Sequence, residues 1–85
     1  MAIKEIQLVR TCGACPEAYE AFFGDRQVGY LRLRHGVFSV EFPGCGGEQI
    51  VREYPKGDGI FLEHEREMFL DLAKRAIVGK LLEKV

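Results

Sequence analysis

Between Val28 and Phe42, apolar and polar residues alternate on both sides of His35-Gly36, and a single hairpin register keeps the two sets on separate faces. Gly36 readily takes the positive φ that a two-residue turn requires, and His35 tolerates it less easily. Counting outward from the turn, Leu33 faces Phe38 and Leu31 faces Val40, while Arg32 faces Ser39 and Tyr30 faces Glu41. A slip of one residue would mix the two sets, because the side-chain period of a strand is two. Turn and pattern therefore specify one another, and the rest of the chain must be arranged around this antiparallel pair.

A three-residue turn at Gly24-Asp25-Arg26 sets Tyr19 opposite Leu31 and Ala21 opposite Gly29, which carries the apolar face onto a preceding strand over 19–23. Tyr19, Phe22 and Phe23 also fit a helical spacing, but only about two turns fit before Gly24, too few for a stable helix. Upstream, Ile6 and Leu8 alternate with Glu5 and Gln7 in a first strand over about 3–10. The hairpin strands span about 27–35 and 37–42. Downstream of the loop Pro43-Gly44-Cys45-Gly46-Gly47, residues 49–54 form a further strand, at an edge, whose inward side stays open between Ile50 and Val51. Pro55-Lys56-Gly57-Asp58-Gly59 is a turn cluster that ends the sheet region.

From about Leu62 the period changes. Phe69, Leu72, Ala73, Ala76, Ile77 and Leu81 fall on one stripe, with Glu63, Glu65 and Glu67 in the first turns and Lys80 and Lys84 in the last, as the helix dipole favours. The spacing predicts a helix over 62–84, with Gly79 ending it or lying in its final turns. The expected fold is α+β, an antiparallel meander sheet of four to five strands with one face covered by a long C-terminal helix.

The 85 residues suit a single domain, 1–85, near the size at which a metal or a partner adds useful stability. With 47% hydrophobic and 29% charged residues the chain is neither disordered nor fibrous. A net charge of −1 supplies no global field toward nucleic acid or an anionic membrane, so nucleic acid is disfavoured as a partner except at a local patch. No apolar run approaches the roughly 20 residues that span a bilayer, and Met1-Ala2-Ile3-Lys4-Glu5 lacks the pattern of a signal peptide, so a cytoplasmic location without membrane is expected. A helix of about 33 Å overhangs strands of about 20 Å, which makes Leu81, Leu82 and Val85 a candidate homodimer surface.

Cys12-Gly13-Ala14-Cys15-Pro16 is the stretch most able to carry chemistry, since two thiols at this spacing can share a metal or close a redox-active ring. Three cysteines in all, an odd number, argue against a disulfide framework. Successive connections of a meander alternate between the two ends of the sheet. Cys45 then lies about one strand length, ~20 Å, from the pair, whereas His35 and the helix start with His64 return to its end. Cys12, Cys15, His35 and His64 thus form a Cys2His2 set that zinc would accept. A thioredoxin-like reading fails on the consecutive extended runs, which leave no room for alternating strands and helices. The bland alternative is a pair of small thiols within a connection.

Tyr30, Arg32 and Arg34 share the polar face of the hairpin, aromatic and basic residues interleaved as on sheets that bind single-stranded RNA. Glu20 and Glu41 project onto the same face, and a cross-strand salt-bridge ladder is the preferred reading. Gly44-Cys45-Gly46-Gly47 precedes a strand rather than a helix and is not a phosphate loop. Glu63-His64-Glu65-Arg66-Glu67 lacks the spacing of zinc proteases and reads as a charged solvent face.

Cys15-Pro16-Glu17, the run from Arg26 to Gly36, Gly46-Gly47-Glu48 and Gly57-Asp58-Gly59-Ile60-Phe61 resemble a family of small uncharacterised prokaryotic proteins. The resemblance implies an extended second strand and transfers no activity. The Val28-Gly29-Tyr30 hairpin is also similar to one in acetyltransferases of the GNAT type, without the acetyl-coenzyme A loop and helix that follow it there. The resulting expectation is a small non-enzymatic domain acting through protein contacts. A zinc-stabilised module and a single-stranded RNA binder are the alternatives.

Overall fold

The His35-Gly36 turn closes the hairpin in the register that the alternation predicts. Leu33 pairs with Phe38, Leu31 with Val40, Arg32 with Ser39 and Tyr30 with Glu41, and both turn residues take positive φ, 55° at His35 and 75° at Gly36. The computed structural model describes residues 3–12 and 16–83, without the side chains of Ile3 and Cys12. A single 3-10 turn, Ile3–Glu5, leads into β1 (Ile6–Cys12), β2 (Glu17–Phe23), β3 (Arg26–Arg34), β4 (Val37–Phe42) and β5 (Glu48–Glu53), followed by α1 (Glu63–Glu83). The strands lie in the order β1-β2-β3-β4-β5, all neighbours antiparallel. This is the α+β meander with a covering helix that the sequence predicts.

The first strand starts later than its alternation suggests, at Ile6, because residues 3–5 wind into the 3-10 turn. β2 begins earlier, at Glu17, and Glu17 pairs with Leu33 on the side of the sheet that faces the helix. Two bulges then set side-chain direction. Between Ala21 and Phe22 on β2 the partner strand carries Val28 as an extra residue, so both Val28 and Gly29 are buried. On β5 the extra residue is Ile50: Val51 opposes Val40 and Gln49 opposes Glu41, and Ile50 packs against the core beside Val51. The competition between Ile50 and Val51 is resolved by the bulge in favour of both.

The core fills one face of the sheet, where Ile6, Ala21, Leu31, Leu33, Phe38 and Val40 meet Ala73, Ile77, Val78 and Leu81 of α1. The helix runs from the end of the sheet at the His35 turn, where Arg66 reaches Glu17 of β2, to the end at the Cys45 loop, where Lys80 Nζ lies 2.9 Å from Glu48 of β5. Helix and sheet approach most closely at Gly29, where an added Cβ would stand 2.7 Å from Ile77 Cδ1. No helix among the described residues is long and apolar enough to cross a membrane.

The C-terminal end of the helix differs from expectation. Leu81 is buried against the core instead of overhanging it, because the helix lies along the sheet to its far end; Leu82 is exposed and Val85 lies outside the described residues. Gly79 sits within the helix, exposed, with nothing near the position of a Cβ. Gly79→Ala is accordingly expected to raise the unfolding free energy by about 0.5–1 kcal/mol, as glycine is that much poorer than alanine inside a helix. Urea denaturation with an unchanged m-value would register it.

Candidate functional site

Among the described residues, polar side chains gather inside the molecule and also on the uncovered face of the sheet. The inner cluster centres on Glu17, wholly buried although charged. Its Oε1 accepts from the Phe61 N–H at 3.0 Å and Arg66 Nη2 at 3.3 Å; its Oε2 accepts from Arg66 Nε at 2.8 Å and from the Tyr19 hydroxyl. The Arg10 guanidinium stands 3.6 Å from the same carboxylate and lies over the Tyr19 ring. Burial opposes ionisation of Glu17, but the hydrogen bonds from Arg66, Tyr19 and the Phe61 amide outweigh it and hold its pKa below the usual carboxylate range. The Tyr19 phenol is pushed up to about 12, first by burial and then by the Glu17 carboxylate, so it stays protonated.

A second buried carboxylate, Glu65, fixes the adjoining loop. It accepts from the N–H groups of Lys56 at 3.0 Å, Gly57 at 2.8 Å and Leu62 at 2.9 Å. The last of these is the return half of a capping box, in which the third helical residue bonds the N–H that precedes the helix. Burial again opposes its charge, and these three amides outweigh it and lower its pKa. Gly57 fits only as glycine, since a Cβ there would run into the Ile60 carbonyl oxygen. Residues Glu65 and Arg66, expected on a solvated face, are thus turned inward by partners from β2 and the 55–62 loop.

The carboxylate at the centre of this cluster is enclosed. Glu17 is closed to solvent with both oxygens engaged, and among the described residues no buried side-chain polar atom lacks a partner. Its work is to clamp the β5 to α1 loop onto the sheet: the Glu17 N–H also bonds the Gly59 carbonyl at 2.6 Å.

The uncovered face presents a different pattern. Register sets Glu20, Tyr30 and Glu41 in one cross-strand row and Ala18, Arg32, Ser39 and Arg52 in the next, with Arg34 and Val37 beyond it toward the His35 turn. Pro16, Tyr30, Arg32, Arg34, His35 and Asp58 line a hollow of about 490 Å³, and a shallower one of about 350 Å³ adjoins it over Arg32, Arg34 and Arg52. Arg52 donates from Nε to the Tyr54 hydroxyl at 2.9 Å and lies over the Tyr54 ring.

The expected salt-bridge ladder is absent from this face. Among the described residues Arg32 and Arg34 make no ion pair. Glu20 and Glu41 stand directly opposite Tyr30, so the arginines are their diagonal neighbours at about 7–8 Å, a separation that long side chains can span but do not close here. Glu41 is also drawn aside, its Oε1 accepting from the Gly46 N–H at 3.1 Å.

Of the residues singled out from the sequence, Tyr30, Arg32, Arg34 and His35 are brought together around the larger hollow. His64, exposed near the helix start, lines a separate apolar hollow with Tyr54, Pro55 and Met68. Cys15 and the Cys12 side chain lie outside the described residues, and among those described no group of three or more His, Cys, Asp or Glu is placed to hold a metal. Cys45 is exposed, in the loop at the opposite end of the sheet from the His35 turn. Arg52 was not legible as a site residue: its direction depends on the bulge at Ile50, and its one sequence signal is a place two residues before the exposed Tyr54.

Comparison with protein-family models, curated proteins and solved structures finds no match to this chain.

Proposed function

We propose that this chain is a non-enzymatic binding module whose uncovered sheet face takes the backbone of single-stranded nucleic acid. The observation that carries the reading is the pair Arg32 and Arg34, free of carboxylate partners beside an accessible Tyr30, with Arg52 across β4 in the same field. Unpaired guanidinium groups on a surface attract anions, and planar forks suit phosphate oxygens. An adjacent aromatic ring offers a stacking platform that double-stranded helices cannot use. The overall charge of −1 makes such binding local and modest in strength. Catalysis is not part of the reading, since the buried carboxylates are saturated by structural hydrogen bonds.

Fluorescence anisotropy of a labelled ten-nucleotide strand, titrated at several salt concentrations, tests it. Affinity is expected to fall as salt rises, and each of Arg32→Ala and Arg34→Ala is expected to reduce the slope of log K against log salt by about 0.7, the contribution of one phosphate on a single strand. Failure to bind even at low salt would remove the proposal.

A further inference from the structure

We propose that this face selects guanine among bases stacked on Tyr30, through the carboxylate of Glu20. The inference rests on the nucleic-acid reading above and deepens it.

The geometry is that of the row Glu20, Tyr30, Glu41. Residues directly opposite on antiparallel strands hold their Cβ atoms about 4.5–5.5 Å apart, so a base lying on the Tyr30 ring has a carboxylate beside it on each side. The two carboxylates are not equivalent. Glu41 is engaged by the Gly46 N–H, whereas Glu20 makes no side-chain hydrogen bond or ion pair among the described residues. An ionised carboxylate only accepts hydrogen bonds and can take two parallel donors.

Guanine presents two such donors together, the ring N1–H and the exocyclic N2 amine, and matches the two oxygens of Glu20. Cytosine and adenine offer one amino group each. Uracil offers a single N3–H between two carbonyl oxygens, which a carboxylate repels. Phosphates flanking the stacked base would fall toward Arg32 and Arg34, one and two rows nearer the His35 turn. Charge is thus divided along the face, acceptors where the base lies and donors where the backbone runs.

The test compares the ten-nucleotide strands U10 and (UG)5 by anisotropy at low salt, with wild type and with Glu20→Gln and Glu41→Gln. Wild type is expected to bind (UG)5 at least tenfold more tightly than U10, the scale of one bidentate base contact. Glu20→Gln is expected to reduce that preference to below about threefold and to raise affinity for U10, because a negative charge beside the phosphate track is gone. Glu41→Gln keeps most of the preference. Equal binding of the two strands by wild type, with salt dependence intact, overturns the guanine inference and leaves the backbone reading standing. A preference that survives Glu20→Gln also overturns it. Binding of neither strand overturns both.

Discussion

Glu17→Ala is expected to lower the free energy of unfolding by about 3–5 kcal/mol, the scale observed when one partner of a buried ion pair is removed. The loss has three parts. Arg66, itself largely enclosed, keeps only Glu63 Oε1 at 2.6 Å and the Phe61 carbonyl at 3.3 Å. The Phe61 amide and the Tyr19 hydroxyl, both buried, lose their acceptor. The loop from Pro55 to Leu62 loses a side-chain tie to the sheet, though the Glu17 N–H can still hold Gly59. An 85-residue domain commands about 4–13 kcal/mol in all, so the variant lies near the limit of folding. Glu17→Gln retains the shape and one acceptor oxygen and should cost about 1–3 kcal/mol, which keeps the comparison measurable. Urea denaturation of both variants checks the expectation, and a loss under about 1 kcal/mol for Glu17→Ala would mean the pair behaves as a screened surface bridge.

Acid gives the same group a signature that packing alone would not. Glu17 and Glu65 both have pKa values lowered from 4.5 by folding, so on acidification the unfolded chain takes up protons before the folded one. Their stabilisation is fully present above about pH 4.5 and is lost as the pH falls through the depressed folded values. Stability curves of wild type and Glu17→Ala should therefore run parallel above that pH and converge below it. Curves that stay parallel to low pH would show that the Glu17 charge contributes nothing.

Phe38→Ala should cost about 3–5 kcal/mol, the usual consequence of removing a large aromatic from a closed core. Phe38 on β4 is wholly buried and joins the sheet to both the loop and the helix. Its ring meets Phe61 edge-on with centroids 5.1 Å apart and Phe69 edge-on at 5.9 Å, while Phe61 and Phe69 stack at 5.7 Å. Edge-to-face pairs add about 0.5–1.5 kcal/mol each beyond area burial, so the deletion removes two such contacts together with the transfer energy. The cavity is bordered by the sheet backbone on one side and by rings held from their own elements on the other, so collapse around it is limited. Phe38→Leu, which keeps most of the volume, should recover well over half of the loss. Thermal unfolding of wild type and the two variants reads the difference, and a Phe38→Ala midpoint equal to that of wild type would deny the ring its role.

Much of the fold was legible because its rules are local. The His35-Gly36 turn and the period-two alternation around it set the β3 to β4 register. The Gly24 connection is a two-residue turn with Phe23 opposite Arg26, not the three-residue turn expected, and the extra residue Val28 restores Ala21 opposite Gly29 and Tyr19 opposite Leu31, the pairs the sequence predicts. The stripe on α1 and its charge polarity marked the helix to within a residue or so of its described span. The candidate site is legible in part: alternation puts Tyr30, Arg32 and Arg34 on the uncovered face, but it does not show that Arg32 and Arg34 make no ion pair among the described residues. Charge balance counted over a face does not say which side chains meet, since a carboxylate such as Glu41 can accept from a loop amide instead.

What the sequence determined by itself is the sheet order, the hairpin register and the helix with its direction, since each follows from spacing of a few residues and from turn chemistry. Tertiary structure alone decided which charged groups are buried. Glu17 lies within an ordinary alternating strand, and its fate depends on an amide 44 residues away, just as Glu65 and Arg66 turn inward only because the loop and β2 present donors and a carboxylate. Tertiary structure also aimed Arg52, through the bulge that leaves both Ile50 and Val51 packed on the core. A charge can be enclosed only where enough partners converge from distant parts of the chain, and no local period encodes that convergence.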